Sequence, residues 1–205
     1  YSANQNIYTV TSYNEVGTTS EDGVVTGPPR ISDDLTYGLS SLGVIDQAYL
    51  QVLYGENQTT NSGDELYLIA ENSEKISWTT IWDTAGYDTI EVQSTSDKPA
   101  IIDLSSPLLF DDSEETNLGG ISKLSGRDNY GGFVIGNSVD IENAKSGTGN
   151  DQIIGNSLNN FIFSSGGNNT IEPLGGDDLI LLGEGDDLVF LTSDSIWSEH
   201  HFAKN

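Results

Sequence analysis

From Ser146 to Phe190 the apolar and polar positions recur with a period of nine. Cut into blocks, the stretch reads SGTGNDQII, GNSLNNFIF, SSGGNNTIE, PLGGDDLIL and LGEGDDLVF. The eighth position is β-branched throughout: Ile153, Ile162, Ile171, Ile180 and Val189. The sixth is Asp151, Asn160, Asn169, Asp178 and Asp187; the fourth is Gly149, Leu158, Gly167, Gly176 and Gly185. A β-branched residue with apolar neighbours predicts a short strand with one buried face. The Gly-x-Asp before it predicts a tight turn ending in a carboxylate or amide. One such unit cannot bury its own apolar face, so successive units must stack. Two units then make one coil of a flattened solenoid with a strand on each side. The turns of Asp151, Asn169 and Asp187 fall on one edge, and those of Asn160 and Asp178 on the other.

The pattern changes upstream. Residues 44 to 54, VIDQAYLQVLY, place Val44, Ile45, Ala48, Tyr49, Val52 and Leu53 at helical spacing, with Gly55 as C-cap. WTTIWDTAGYDTI, residues 78 to 90, predicts a strand running into a carboxylate-rich turn. VDIENA, residues 139 to 144, leads directly into the repeats, and the stretch 94 to 137 reads as β-structure with long turns. The expected fold is mainly β: a parallel β-roll preceded by a β-rich, sandwich-like linker and one helix.

Charge sharpens this picture. Seven Lys and Arg stand against 32 Asp and Glu, a formal net charge of −25 over 205 residues. That excludes nucleic acid as a partner, since phosphates attract basic faces, and argues against an anionic membrane surface. No apolar run is long enough to span a bilayer. A compact chain so acidic repels itself unless cations neutralise it. With 35% hydrophobic residues, 9 Tyr, 6 Phe and 3 Trp, disorder throughout is not expected. Gly is high, 23 residues, and with no Cys, disulfides and thiolate metal sites are excluded. The opening, YSANQNIYTV, has neither Met nor a basic-then-apolar signal pattern, so the chain is expected to begin inside a longer gene product.

Stacked carboxylates and glycine carbonyls build cages made only of oxygen. These suit Ca²⁺, with its six to eight ligands and relaxed geometry, better than Mg²⁺. The expected ligands in the repeats are Gly147, Gly149, Asp151, Asn160, Gly167, Asn169, Gly176, Asp178, Gly183, Gly185 and Asp187, and several calcium ions are expected. Asn160 and Asn169 offer an uncharged oxygen and should bind more weakly. A series of Asx-turns without metal would explain Asp and Gly in turns, but not a carboxylate column stacked at close range. The doublets Asp177/Asp178 and Asp186/Asp187 raise a paired-carboxylate enzyme such as a glycosidase, but carboxylates in a stacking column are committed to metal. A phosphate loop fails: G-x-x-x-x-G-K-[ST] is absent, and GTGNDQ misses the third Gly of G-x-G-x-x-G.

GGNNTI, GGDDLI and GEGDDLV resemble the calcium-binding GGxGxDxUx repeats of RTX proteins. With DQAYLQVLYG, NSGDELY, IWDTAGYDTIEV and VDIENAKSGTGNDQIIGN in this order, the chain resembles the C-terminal region of serralysins, the M10 branch of the metzincin metalloproteases. The likeness runs from about residue 8 to residue 190. It implies a remnant of the catalytic domain at 1–60 and an RTX β-roll domain at 61–205, with the nonapeptide repeats at 146–190. It also implies two linker calcium sites, one from Asn61, Gly63, Glu65, Asp83, Ala85 and Asp88, the other from Gly86, Asp88, Asp140 and Glu142. YTVTSYNE, residues 8 to 15, resembles the Met-turn under the zinc, with Thr11 in place of the Met and Tyr13 at the position of a zinc-binding Tyr.

H-E-x-x-H is absent from the chain, and His200 and His201 are adjacent, so they cannot form the i, i+4 pair a zinc helix needs. Zn²⁺ is expected only if an upstream segment supplies the histidines. The chain alone carries no catalytic residues and is not expected to hydrolyse peptides. The function implied is a calcium-binding segment that folds on calcium after type I export and supports the preceding part of the same gene product. Its place would be outside the cell or on a bacterial cell surface. The alternative is a non-catalytic calcium-dependent module of a surface, adhesion or motility protein, favoured by Thr11 and by an ending without the acidic-then-apolar tail of a terminal export signal.

Overall fold

The computed structural model describes residues 41–71, 78–109, 117–125, 131–191 and 200–204. The Met-turn-like stretch with Thr11 and Tyr13 lies outside them, as does most of the remnant assigned to 1–60.

The helix forms where its periodicity predicts, as α1 (Val44–Tyr54). The Gly43 N–H donates to Asp46 Oδ2 at 3.1 Å. That puts a carboxylate in the first turn, where it favours the helix dipole. Gly55 ends the helix at φ +85° and donates to Gln51 O. The packing face differs from the expected stripe. Val44, Gln47 and Ala48 are buried, while Tyr49, Val52 and Leu53 are 61, 68 and 69% exposed. The reason is the docking geometry: Val44 packs with Trp78 and Val134, and Gln51 exchanges two hydrogen bonds with Asn137. Only one flank of the apolar stripe therefore meets the sheets.

Thirteen strands follow among the described residues: β1 (Leu66–Ile69), β2 (Trp78–Ile81), β3 (Thr89–Val92), β4 (Ala100–Asp103), β5 (Ile121–Leu124), β6 (Gly132–Ile135), β7 (Asn143–Lys145), β8 (Gln152–Asn156), β9 (Phe161–Gly166), β10 (Thr170–Leu174), β11 (Asp178–Glu184), β12 (Leu188–Val189) and β13 (His200–Lys204). One sheet has the order β1-β3-β7-β9-β11-β13, the other β12-β10-β8-β4-β5-β6-β2. From β7 onward, consecutive strands alternate between the sheets and pair in parallel with the strand two places away. This is the arrangement of a β-roll. The only antiparallel pairs of named strands are β4–β5 and β5–β6.

The eighth column of the repeat fills the space between the sheets. Ile153, Ile162, Ile171 and Ile180 are fully buried and in one cluster with Ile90, Ile102, Ile141 and Ala144. Burying each isoleucine contributes roughly 1.5–3 kcal/mol. The upstream strands do not form a separate sandwich as the linker was expected to. β1, β3 and β7 lengthen one sheet of the roll, and β4 pairs directly with β8 in the other.

Candidate metal centre

The turns between strands stack along the two edges of the roll, and their side chains lock one coil to the next. In the sixth column the Asp151 N–H donates to Asn169 Oδ1 at 2.9 Å, the Asn169 N–H to Asp187 Oδ1 at 3.1 Å, and the Asn160 N–H to Asp178 Oδ1 at 2.8 Å. Each bond joins residues 18 apart, the offset that a coil of two nine-residue units requires. One oxygen of each side chain is used in this way. The second oxygens of Asp151 and Asp187 are buried and have no protein hydrogen-bond partner.

Backbone carbonyls crowd the same turns. A Cβ built on Gly167 would lie 2.1 Å from Gly149 O, and one on Gly185 the same distance from Gly167 O. Gly147 and Gly183, on this same edge, lie against the carbonyls of Ser96 and Ser165, and on the other edge Gly176 rests on Leu158 O. The predicted glycines thus bring main-chain oxygens into register with the carboxylates.

The linker repeats this construction without the nine-residue spacing. Among the described residues, ligand atoms of Glu65, Asp83 and Asp88 lie within 4.8 Å of one another. The Glu65 N–H donates to Asp88 Oδ1 and the Asp88 N–H to Glu142 Oε2, both at 2.8 Å, so the ladder runs on toward the repeats. Gly63 O abuts Gly86, and Glu65 Oε2 is buried without a hydrogen-bond partner. The Asn61 carbonyl accepts from the Thr84 N–H, and the Ala85 N–H donates to Asp83 Oδ1. Asp140 is exposed and outside the three-carboxylate group.

Sequence reasoning missed several partners. Tyr67 donates its hydroxyl to Asp83 Oδ2 at 2.5 Å. Ser96 to Ala100 serve as a turn beneath the first repeat, with the Ala100 N–H on Asp151 Oδ1 at 2.7 Å and the Thr148 N–H on Ser96 O. The fifth column makes a second ladder in the opposite sense: N–H groups of Asn168, Asp177 and Asp186 donate to Oδ1 of Asn150, Asn159 and Asn168. The signal for it was present, since that column reads Asn150, Asn159, Asn168, Asp177 and Asp186.

Charge in these turns is costly without a cation. Burial, with the nearby charges of Asp83, Glu142 and Glu65, pushes the Asp88 carboxyl up to about 7. Burial likewise raises Glu142 and Asp151. Because these acids are raised in the folded state, the cation-free fold loses stability as pH climbs from the ordinary carboxylate range through about 7. A bound cation displaces the proton. The affinity of the folded turns for a divalent cation is therefore expected to fall by about tenfold for each pH unit below about 7, and more steeply where a second raised acid takes part. Calorimetric titrations from about pH 8 down to about pH 5.5 measure this, and a flat profile would contradict it.

Buried, partnerless carboxylate oxygens beside stacked carbonyls, with no amine in the described cluster, fit a hard divalent cation such as calcium. A model of the family described as Peptidase M10 serralysin C terminal matches residues 49–200. Metalloprotease AprA of Pseudomonas entomophila (strain L48) is 29% identical over 165 residues, 76% of this chain and 30% of that protein. Serralysin B of Dickeya chrysanthemi is 33% identical over 119 residues, covering 53% of this chain and 22% of that protein. Serralysin of Photorhabdus luminescens is 27% identical over 174 residues, 79% of this chain and 30% of that protein. The chain thus spans under a third of the length of these relatives.

Proposed function

This chain belongs to the serralysin C-terminal family of M10 peptidases, and on that premise we propose that it is a calcium-dependent folding segment of a secreted metalloprotease-like protein. The observation that carries the reading is the set of buried carboxylate oxygens without partners, Glu65 Oε2, Asp151 Oδ2 and Asp187 Oδ2. Glu65, Asp83 and Asp88 with Asn61, Gly63 and Ala85 would hold one ion. Gly86, Asp88 and Glu142, with Asp140 at the surface, would hold another. Asp151, Asp178 and Asp187, with the carbonyls of Gly147, Gly149, Gly167, Gly176, Gly183 and Gly185, would hold those of the roll. Bound calcium supplies the positive charge that lets these carboxylates ionise while buried, so binding energy becomes folding energy.

Inside the producing cell, where free calcium is low, the acidic chain stays open enough for a type I export channel. Outside, calcium drives folding by mass action. The folded roll then supports the preceding domain, and any catalytic Zn²⁺ comes from histidines upstream, with Tyr13 as a further ligand. The second reading, a non-catalytic surface module, draws on Thr11 at the place of the Met. An H-E-x-x-H in the gene sequence ahead of Tyr1 would decide for the protease parent.

Metal content of the purified chain after dialysis, by mass spectrometry, tests the calcium reading. Several calcium ions per chain are expected, with fewer in Asp88→Ala, which sits in both linker sites. A chain that retains no calcium would sink the proposal.

A further inference from the structure

Two turns do not fit a bound ion. At Asn169 the amide oxygen accepts the Asp151 N–H, a backbone donor that fixes which end of the amide is oxygen. Its NH₂ then points where Asp151 and Asp187 carry a partnerless oxygen. It donates to Gly166 O at 3.2 Å, Gly167 O at 3.3 Å and Asp187 Oδ1 at 2.9 Å. Two carbonyls of its own turn and a carboxylate oxygen of the next coil are thereby gathered around one nitrogen. Asn160 does the same on the opposite edge. Its Oδ1 accepts the Asn156 N–H at 3.0 Å, and its NH₂ donates to Glu142 O at 3.1 Å and Asn156 Oδ1 at 2.9 Å. Asn156 is fixed in turn by donating to Leu104 O and Ile141 O. Asn160 and Asn169 are 2% and 1% exposed, so neither amide has water as an alternative partner.

We propose that Asn160 and Asn169 are internal substitutes for calcium, their NH₂ groups taking the place of the ion so that one turn on each edge closes without metal. An amide NH₂ presents the positive ends of two N–H dipoles to the oxygens a cation would otherwise collect. Calcium needs six to eight oxygens, and no free one is left on either side chain. The weak ligation expected of these two residues from the sequence is replaced by none. The two turns then contribute coil-to-coil bonds that need no ion of their own, and the ions act on the turns to either side. This inference rests on the calcium reading above.

The test is Asn169→Asp, titrated with calcium by calorimetry beside the parent chain, with folding followed by circular dichroism through the same titration. A carboxylate there cannot donate to Gly166 O or Gly167 O and faces Asp187. The variant is expected to bind one more calcium ion than the parent, and to reach half-folding at a higher calcium concentration than the parent. Asn169→Ala serves as the second variant, because it removes the amide without adding a ligand; its calcium count should equal the parent's. Equal counts for the parent and Asn169→Asp, or a lost ion in Asn169→Ala, would overturn the substitution while leaving the calcium reading intact. No uptake by the parent would overturn both.

Discussion

Removal of calcium is expected to dissolve most of the parallel sheet structure of this chain. The estimate follows from mass action. An ion at about one hundred times its dissociation constant adds about 2.7 kcal/mol, and whole domains are stable by only about 5–15 kcal/mol. A few sites therefore equal the entire margin. Stripping the ions also leaves the buried carboxylates of both edges to repel one another in a chain of formal charge −25. Far-ultraviolet circular dichroism and hydrodynamic radius, followed through a chelator titration and back with calcium, read the transition. The loss should be reversible. A chelated chain with unchanged spectrum and melting point would show that the turns close without ions, and the calcium account would fail.

Gly167→Ala is expected to be among the most damaging single methyls in the roll. Gly167 has φ +84°, and its added Cβ would sit 2.1 Å from Gly149 O, a backbone atom that no rotamer change can move aside. Gly55→Ala is the positive-φ control. Its φ is +85°, but nothing lies within 4 Å of the added methyl. The control carries a positive φ without the clash, at a cost on the order of 1–3 kcal/mol. Gly167→Ala adds displacement of one coil from the next and should cost about 4 kcal/mol or more. Denaturant unfolding of both variants in saturating calcium compares them. Equal losses would mean that the coils yield easily, against the tight stacking described here.

The repeats were legible because every coil asks the same thing of the same column. Ile153, Ile162, Ile171 and Ile180 mark the core, and Gly-x-Asp marks the turns, in the sequence itself. The linker was harder. Its ladder joins Glu65 to Asp88 and Asp88 to Glu142 across 23 and 54 residues, offsets with no period to betray them. The turn at Ser96 to Ala100 was hidden for the same reason, since it meets Asp151 from 51 residues away. Asn160 and Asn169 were visible as departures from the column, but their orientation depends on which backbone N–H reaches them in the folded chain. The helix illustrates the remaining limit. Its periodicity fixed Val44 to Tyr54 as helical, yet could not say that Tyr49, Val52 and Leu53 would stay exposed among the described residues.

The 18-residue offset of the side-chain ladders makes the length of the roll a quantised property. Deleting or inserting a full coil would leave every later residue on its own edge and in its own sheet. A change of nine residues would hand each downstream strand to the opposite sheet and set the turn of Asp187 above that of Asp178's neighbours. A change of any other size would break the columns outright. Such a segment keeps its columns through any change by a multiple of nine, but keeps each residue on its own edge only through whole coils of 18, like a screw advanced by complete pitches.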